Sequence, residues 1–228
     1  MKITYYGHSC FLVDLDGVKI LFDPFITSNP IAEKVNVNKI EADFILISHG
    51  HEDHIADVEL IAKRTDAKII SNFEVTSWFS TEKGLKNSHP LNLGGKVELL
   101  NGIKAKFVNA IHSSVLPDGS YGGNPGGWLI EHKSGSFYYS GDTALTYDMK
   151  LLGEFSRLDF AFMCIGDNFT MGIEDSAIAA GFVGVKEVIG MHYDSFEYIK
   201  IEHEAAKRHY SSKGLNLILL DINETITK

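Results

Sequence analysis

Seven consecutive residues constrain this chain more than any other feature: Ser48-His49-Gly50-His51-Glu52-Asp53-His54. Four side chains able to bind a metal, His49, His51, Asp53 and His54, fall within six positions. Imidazole nitrogen and carboxylate oxygen are both good donors to zinc and related first-row ions. The run follows Phe44-Ile45-Leu46-Ile47, a short apolar stretch that predicts a buried strand. Gly50 then permits a tight turn that a bulkier residue would resist. A strand end followed by such a turn can aim several side chains at one point. The bland alternative is a solvated polar loop, and the density of the cluster behind a buried strand argues against it.

The rest of the composition narrows the class. A chain of 228 residues is long enough for one large domain with a substantial core, and no composition break divides it. One domain over 1–228 is expected. A net charge of −9 argues against nucleic acid as a main partner, because phosphate binding needs clustered Lys and Arg. The first residues, Met-Lys-Ile-Thr-Tyr-Tyr-Gly-His, begin a strand pattern and not a secretory signal. No stretch approaches the roughly 20 apolar residues of a membrane helix. Cys10 and Cys164 each sit in an apolar run, which suits two reduced core thiols and a cytoplasmic location.

Periodicity predicts strands at Lys2–Tyr6, Cys10–Leu15 and Val18–Phe22, with Asp16-Gly17 as a hairpin turn between the last two. Helical spacing covers Ala56–Arg64, with Val58, Ile61 and Ala62 on one face. Lys68–Ser71 reads as a strand and Glu74–Lys83 as a helix. Strands follow at Val97–Leu100, Ile103–Ala110, Gly127–Glu131 and Phe137–Ser140, then a helix at Tyr147–Leu152 and a strand at Phe160–Ile165. The chain continues with a helix at Glu174–Phe182, a strand at Glu187–Met191, a helix at His203–Ser211 and a strand at Leu217–Leu220. This pattern alone gives a mixed α and β protein.

His49-x-His51-x-Asp53-His54 resembles the HxHxDH signature of the metallo-β-lactamase superfamily. In that superfamily a lone His follows a mid-chain strand, an Asp follows a later strand, and a last His lies near the C-terminal end. Matches occur in that order: His112 in Asn-Ala-Ile-His-Ser, Asp142 in Tyr-Ser-Gly-Asp-Thr and His192 in Ile-Gly-Met-His-Tyr. The resemblance spans Tyr6-Gly7-His8-Ser9 to His192. The Gly-His-Ser start and Gly166-Asp167-Asn168-Phe169-Thr170-Met171 look like the small metal-dependent hydrolases similar to bacterial ascorbate-phosphate lactonases. The resemblance implies an α/β fold, a four-layer αβ/βα sandwich of two mixed β-sheets flanked by helices.

It also implies a ligand set. One divalent ion would take His49, His51 and His112; a second would take Asp53, His54 and His192; Asp142 would bridge them. Two ions roughly 3.5–4 Å apart can share a water, lower its pKa towards about 7 and steady a developing oxyanion. Zn2+ is the first expectation, and Mn2+, Fe2+ and Ni2+ suit the same donors. Asp53 would also orient the shared water, giving it a catalytic role. Asp142 alone suits a turn or a helix cap equally well, and its order in the chain favours the ligand. Asp23 ends an early strand before Pro24 and resembles the carboxylate that supports a ligand from behind; an Asp-Pro turn is the alternative.

Other residues near the expected mouth carry weaker expectations. His8, in Gly7-His8-Ser9, is expected to contact substrate or transfer a proton, with a structural loop histidine as the alternative. Asp167, Asn168 and Thr170 are expected to line the substrate pocket, although the same loop suits a helix entry. The segment 113–127, with five glycines and two prolines, is expected to form a wall or a lid over the metals. His89, His132, His203 and His209 read as surface residues. No GxSxG elbow or Ser-His-Asp arrangement stands out.

The expected function is hydrolysis of a small cytosolic ester, lactone or phosphoester. The alternatives are a di-iron or persulfide-dioxygenase-like oxidoreductase and a non-enzymatic metal-binding domain. Arg64, Arg157 and Arg208 are the only arginines, and none falls in an expected site loop. The expected partner is a small molecule, neither nucleic acid nor membrane, and a homo-oligomer is left open.

Overall fold

Alternation along the strands decides the layers. In the strand Phe44–Leu46, Phe44 and Leu46 join the larger apolar core while Ile45, with Ile47 just beyond, joins a second one. Both faces of this strand are buried, which is why its sequence is continuously apolar. The larger core gathers residues of two sheets, among them Phe11, Phe22, Phe137 and Phe162. The second contains Val58, Ile61, Val75 and Phe79 from helices that cover one sheet. The computed structural model describes residues 1–228.

The first half of the chain forms β1 (Lys2–Gly7), β2 (Cys10–Leu15), β3 (Val18–Phe22), β4 (Phe44–Leu46), α1 (Glu52–Ile55), α2 (Val58–Thr65), β5 (Lys68–Asn72), α3 (Phe73–Glu82) and β6 (Ser88–Leu91). The second forms β7 (Lys96–Glu98), β8 (Lys104–Asn109), β9 (Gly126–Glu131), β10 (Phe137–Tyr139), α4 (Met149–Phe155), β11 (Phe160–Cys164), α5 (Ile173–Val183), β12 (Glu187–Met191), α6 (His203–Ser212), β13 (Asn216–Ile218) and β14 (Thr225–Thr227). Two seven-stranded sheets result, in the orders β14-β1-β2-β3-β4-β5-β6 and β13-β12-β11-β10-β9-β8-β7. Each has three adjacent antiparallel pairings and three adjacent parallel ones, so both are mixed. Rings meet across the interface: Phe22 stacks on Tyr139 at 4.7 Å and Phe11 tilts against Phe162 at 4.6 Å. This is the expected α/β sandwich with helices outside. No helix is long and apolar enough to cross a membrane.

Several boundaries differ for physical reasons. The helix expected over Ala56–Arg64 starts two residues later, as α2 at Val58, with the short α1 ahead of it. Asp57 sits at the break because its buried carboxylate accepts from Ile26 N–H, Thr27 N–H and the Thr27 hydroxyl. β7 stops at Glu98, since Asn101 turns through a φ of 57°. β6 and β14 were not expected from the pattern; both are short, polar edge strands, and β6 tolerates Pro90 for that reason. His132 is not a surface residue: its side chain is only 2% exposed, and Ser134 N–H donates to its Nδ1. His89 is half-buried on β6 and His209 half-buried on α6, while His203 is exposed.

Candidate metal centre

The strands that run parallel deliver their C-terminal ends to one edge of the sandwich, where a ligand can be reached by many loops. His49 to His54 follow β4, His112 follows β8, Asp142 follows β10 and His192 follows β12. Asp23 follows β3, and His8 follows β1. Within the signature, His51 caps α1 and its carbonyl accepts from His54 N–H, so one helical turn brings Asp53 and His54 round beside His49. Gly50 serves close approach and not a left-handed turn: a Cβ there would lie 3.1 Å from Leu116 Cδ2, which would have to shift. Gly141 has a φ of +58°, and a Cβ would meet Gly126 O at 2.7 Å and Ser48 Cβ at 2.8 Å. That tight packing seats the Asp142 loop on the signature.

The structure brings all seven candidate ligands together. Ligand atoms of His49, His51 and His112 lie within 4.8 Å of one another, as do those of Asp53, His54, His192 and also His8. A third group, His49, His54 and Asp142, joins the two. Asp142 Oδ2 lies 2.9 Å from His192 Nε2, 3.3 Å from His54 Nε2, 3.5 Å from His112 Nε2 and 4.0 Å from His49 Nε2. One carboxylate oxygen therefore faces members of both sets.

Behind the ligands, Asp23 organises a chain of hydrogen bonds. Its Oδ1 accepts from Ser48 N–H at 2.7 Å. Its Oδ2 faces Ser48 Oγ at 2.5 Å, Tyr139 OH at 2.8 Å and His54 Nδ1 at 2.8 Å. A carboxylate only accepts, so the Ser48 hydroxyl donates to it and takes its own hydrogen bond from His49 Nδ1, 2.9 Å away. His49 and His54 thereby both keep a proton at Nδ1, which turns each Nε2 towards the centre. Asp23 holds a φ of 40°, an uncommon left-handed backbone that Asn and Asp tolerate. Ser48 and Tyr139 were missed from sequence; the adjacency of Ser48 to His49 was the available signal.

Four buried atoms of the cluster have no hydrogen-bond partner: His8 Nε2, His54 Nε2, His192 Nδ1 and Asp142 Oδ1. Orphaned buried polar atoms are costly and rare, and their concentration around these ligands fits a bound cation. The donor set of imidazoles and carboxylates fits divalent ions of the zinc type. Electrostatics agree. Burial, reinforced by neighbouring histidines, pushes His49, His51 and His112 below the ordinary imidazole range, which keeps them in the neutral form a metal needs. Burial opposes ionisation of Asp142, yet His192 and His54 hold its carboxyl well below the usual range. Burial also opposes protonation of His54, but Asp142, Asp23 and Asp53 raise it well above its usual value.

The expected substrate residues lie at the margin. Asp167 and Asn168 are exposed, both with left-handed backbone, and Thr170 is half-buried. Their loop docks beside the Asp142 loop, since Met171 N–H donates to Thr143 O. None of the three makes a hydrogen bond to a candidate ligand; Asp167 lines a cavity of about 510 Å³ with Glu174, Asp175, Glu202 and Lys200, and no candidate ligand lines it. The segment 113–127 is pinned against the signature: Ser114 Oγ accepts from Gly50 N–H, and Asn72 Nδ2 donates to Gly122 O and Asn124 O.

Comparison with known proteins gives the family. Residues 2–192 match the β-lactamase superfamily domain. A UPF0173 metal-dependent hydrolase of Flavobacterium johnsoniae is 50% identical over 226 residues, 99% of each chain. One of Christiangramia forsetii is 51% identical over 227 residues, again 99% of each. Among solved structures, Igni18, a metallo hydrolase from the archaeon Ignicoccus hospitalis, superposes with a TM-score of 0.88 at 33% identity, covering 99% of this chain and 97% of its own. The chain belongs to the metallo-β-lactamase superfamily and, within it, to the UPF0173 metal-dependent hydrolases.

Proposed function

We propose that this metal-dependent hydrolase uses a dinuclear centre to cleave a small ester or lactone. The observation that carries the reading is the position of Asp142 Oδ2, which faces imidazoles of both sets. His49, His51 and His112 would hold one ion, Asp53, His54 and His192 the other, with Asp142 between them. Zn2+ suits these donors best, and Mn2+, Fe2+ and Ni2+ are the alternatives. When bound, such ions supply Lewis acidity and a water of lowered pKa.

The chain's own residues fix the rest. The Asp23 relay holds His49 and His54 in one tautomer, so no reorganisation is needed as charge develops. Asp53, whose side chain is 27% exposed, is the acidic ligand closest to solvent and is suited to orient the attacking water. Asp167, Asn168 and Thr170 are proposed to line the entry. The placement of the arginines favours an uncharged ester or lactone over a phosphoester. Arg64 is bound to Glu41 and Ile40 O, Arg208 pairs with Glu202, and Arg157 lines a cavity with His132 and Lys228, away from the ligand edge.

The test is to strip the protein with a chelator, restore Zn2+, Mn2+, Fe2+ or Ni2+, count ions, and screen lactones, thioesters and phosphodiesters. The expected result is two ions per chain and turnover of a lactone or ester that disappears on chelation. Turnover of phosphodiesters alone would overturn the substrate class, and a single ion with full turnover would overturn the dinuclear centre.

A further inference from the structure

His8 lies outside the ligand set that the signature supplies, yet it is built into the centre. Its side chain is fully buried. Its φ is 56°, a strained conformation for a residue with a side chain, and its carbonyl accepts from His192 N–H at 2.9 Å. The ring lies 4.1 Å from that of His192 and 5.4 Å from that of His54, with Phe25 and Phe196 edge-on at 5.5 Å each. Backbone and packing thus leave the imidazole one orientation.

The hydrogen bonds then decide what Nε2 offers. Nδ1 is 2.5 Å from Ser195 Oγ, and the Ser195 hydroxyl has Tyr193 O as an acceptor at 3.4 Å. With that acceptor used, Ser195 takes the hydrogen bond from Nδ1–H, and Nε2 carries a lone pair. Nε2 has no hydrogen-bond partner, although Asp53 Oδ2 is only 3.2 Å away. The contact falls outside ordinary hydrogen-bond geometry. A buried lone pair facing a carboxylate at that distance is repulsive unless a cation lies between them. The same Nε2 is within 4.8 Å of ligand atoms of Asp53, His54 and His192.

We infer that His8 Nε2 is a direct ligand of the ion proposed for Asp53, His54 and His192. This rests on the dinuclear reading and extends it, because the two pockets then differ. The inner pocket has three buried imidazoles, at 0%, 0% and 2% exposure, plus Asp53. The outer has one fully buried imidazole, His49, with His51 half-buried and His112 at 15%. The inner ion is the tighter one, and the outer ion leaves first.

The experiment is cadmium loading of protein with nitrogen-labelled histidine, followed by NMR detection of scalar coupling between the ion and each ring nitrogen, with chelator competition on His8→Ala and Ser195→Ala. The expected result is coupling at His8 Nε2 as well as at His54 and His192. Release of ions from the wild type should be biphasic. His8→Ala should weaken the tight phase by more than the roughly 10–100-fold that loss of a supporting partner causes, and Ser195→Ala should fall inside that range. Coupling at His54 and His192 without coupling at His8 would overturn the inference and leave the dinuclear reading standing. No coupling at any of the three would overturn both. The coupling is read on wild-type protein, so a variant that fails to fold does not remove the test.

Discussion

Asp23→Asn is the most informative single change. The carboxylate accepts four hydrogen bonds, two of them from Ser48 and one each from Tyr139 and His54. Asn keeps the shape and tolerates the left-handed backbone, so strain contributes little. It replaces one accepting oxygen by a donating amide. If the amide nitrogen takes the Oδ2 position, three donors face a donor. Tyr139 OH can fall back on Ser9 O, 2.8 Å away. His54 and the Ser48–His49 pair can adapt only by reversing tautomer, which puts a proton on the Nε2 atoms that face the centre. If the nitrogen takes the Oδ1 position, it opposes Ser48 N–H instead. Either way one or two buried charge-assisted bonds are lost at about 1.5–3 kcal/mol each, so stability should fall by about 1.5–6 kcal/mol. Ion affinity should fall about 10–100-fold. Denaturant unfolding of chelated protein reads the first quantity, and competition with a chromophoric chelator reads the second. A folded Asp23→Asn protein with wild-type affinity for both ions would refute the relay.

Asp142→Ala should abolish turnover and weaken at least one ion, with circular dichroism unchanged; full metal content and full turnover would make Asp142 a turn residue. Asp53→Asn, if it remains fully loaded, should slow turnover more than it weakens substrate binding, read as a fall in kcat at nearly constant KM. Gly166→Ala puts a Cβ onto the His192 carbonyl and should cost about 1–3 kcal/mol while loosening the His192 ion, measured by unfolding and ion counting. In ion-free protein, His54 is raised, so its contribution to stability is complete below about pH 6.5 and is lost as pH rises through its folded value. Asp142 is depressed, so its contribution is complete above about pH 4 and is lost as pH falls further. Loading must displace the His54 proton, so calorimetry in buffers of different ionisation enthalpy should detect proton release and an affinity that rises with pH; loading without release would refute this.

What the sequence made legible was local. Asp16-Gly17 states its hairpin because both residues accept positive φ, 56° and 81° in the structure. The apolar runs of β2, β3 and β4 state their strands because both their faces meet a core. The signature states its chemistry because four donors are adjacent. What stayed hidden depends on contacts between distant parts of the chain. Ser195 is 187 positions from His8, and nothing in Asp194-Ser195-Phe196 marks it as the partner of a buried imidazole. Tyr139 looks like one more strand aromatic until Asp23 is placed beneath it. β14 has too few apolar residues to declare itself and exists because β1 offers an open edge.

The cluster is divided between the two sheets. His49, His51, Asp53 and His54 come from the first half of the chain, and His112, Asp142 and His192 from the second. Ions bound there would act as rivets across the sandwich, and the opening of either sheet would empty both positions. At a free concentration 1,000 times the dissociation constant, each independent ion would add about 4.1 kcal/mol to the folded state. Metal supply would then set the lifetime of the protein as well as its activity: chelated chains would be the ones a protease finds open.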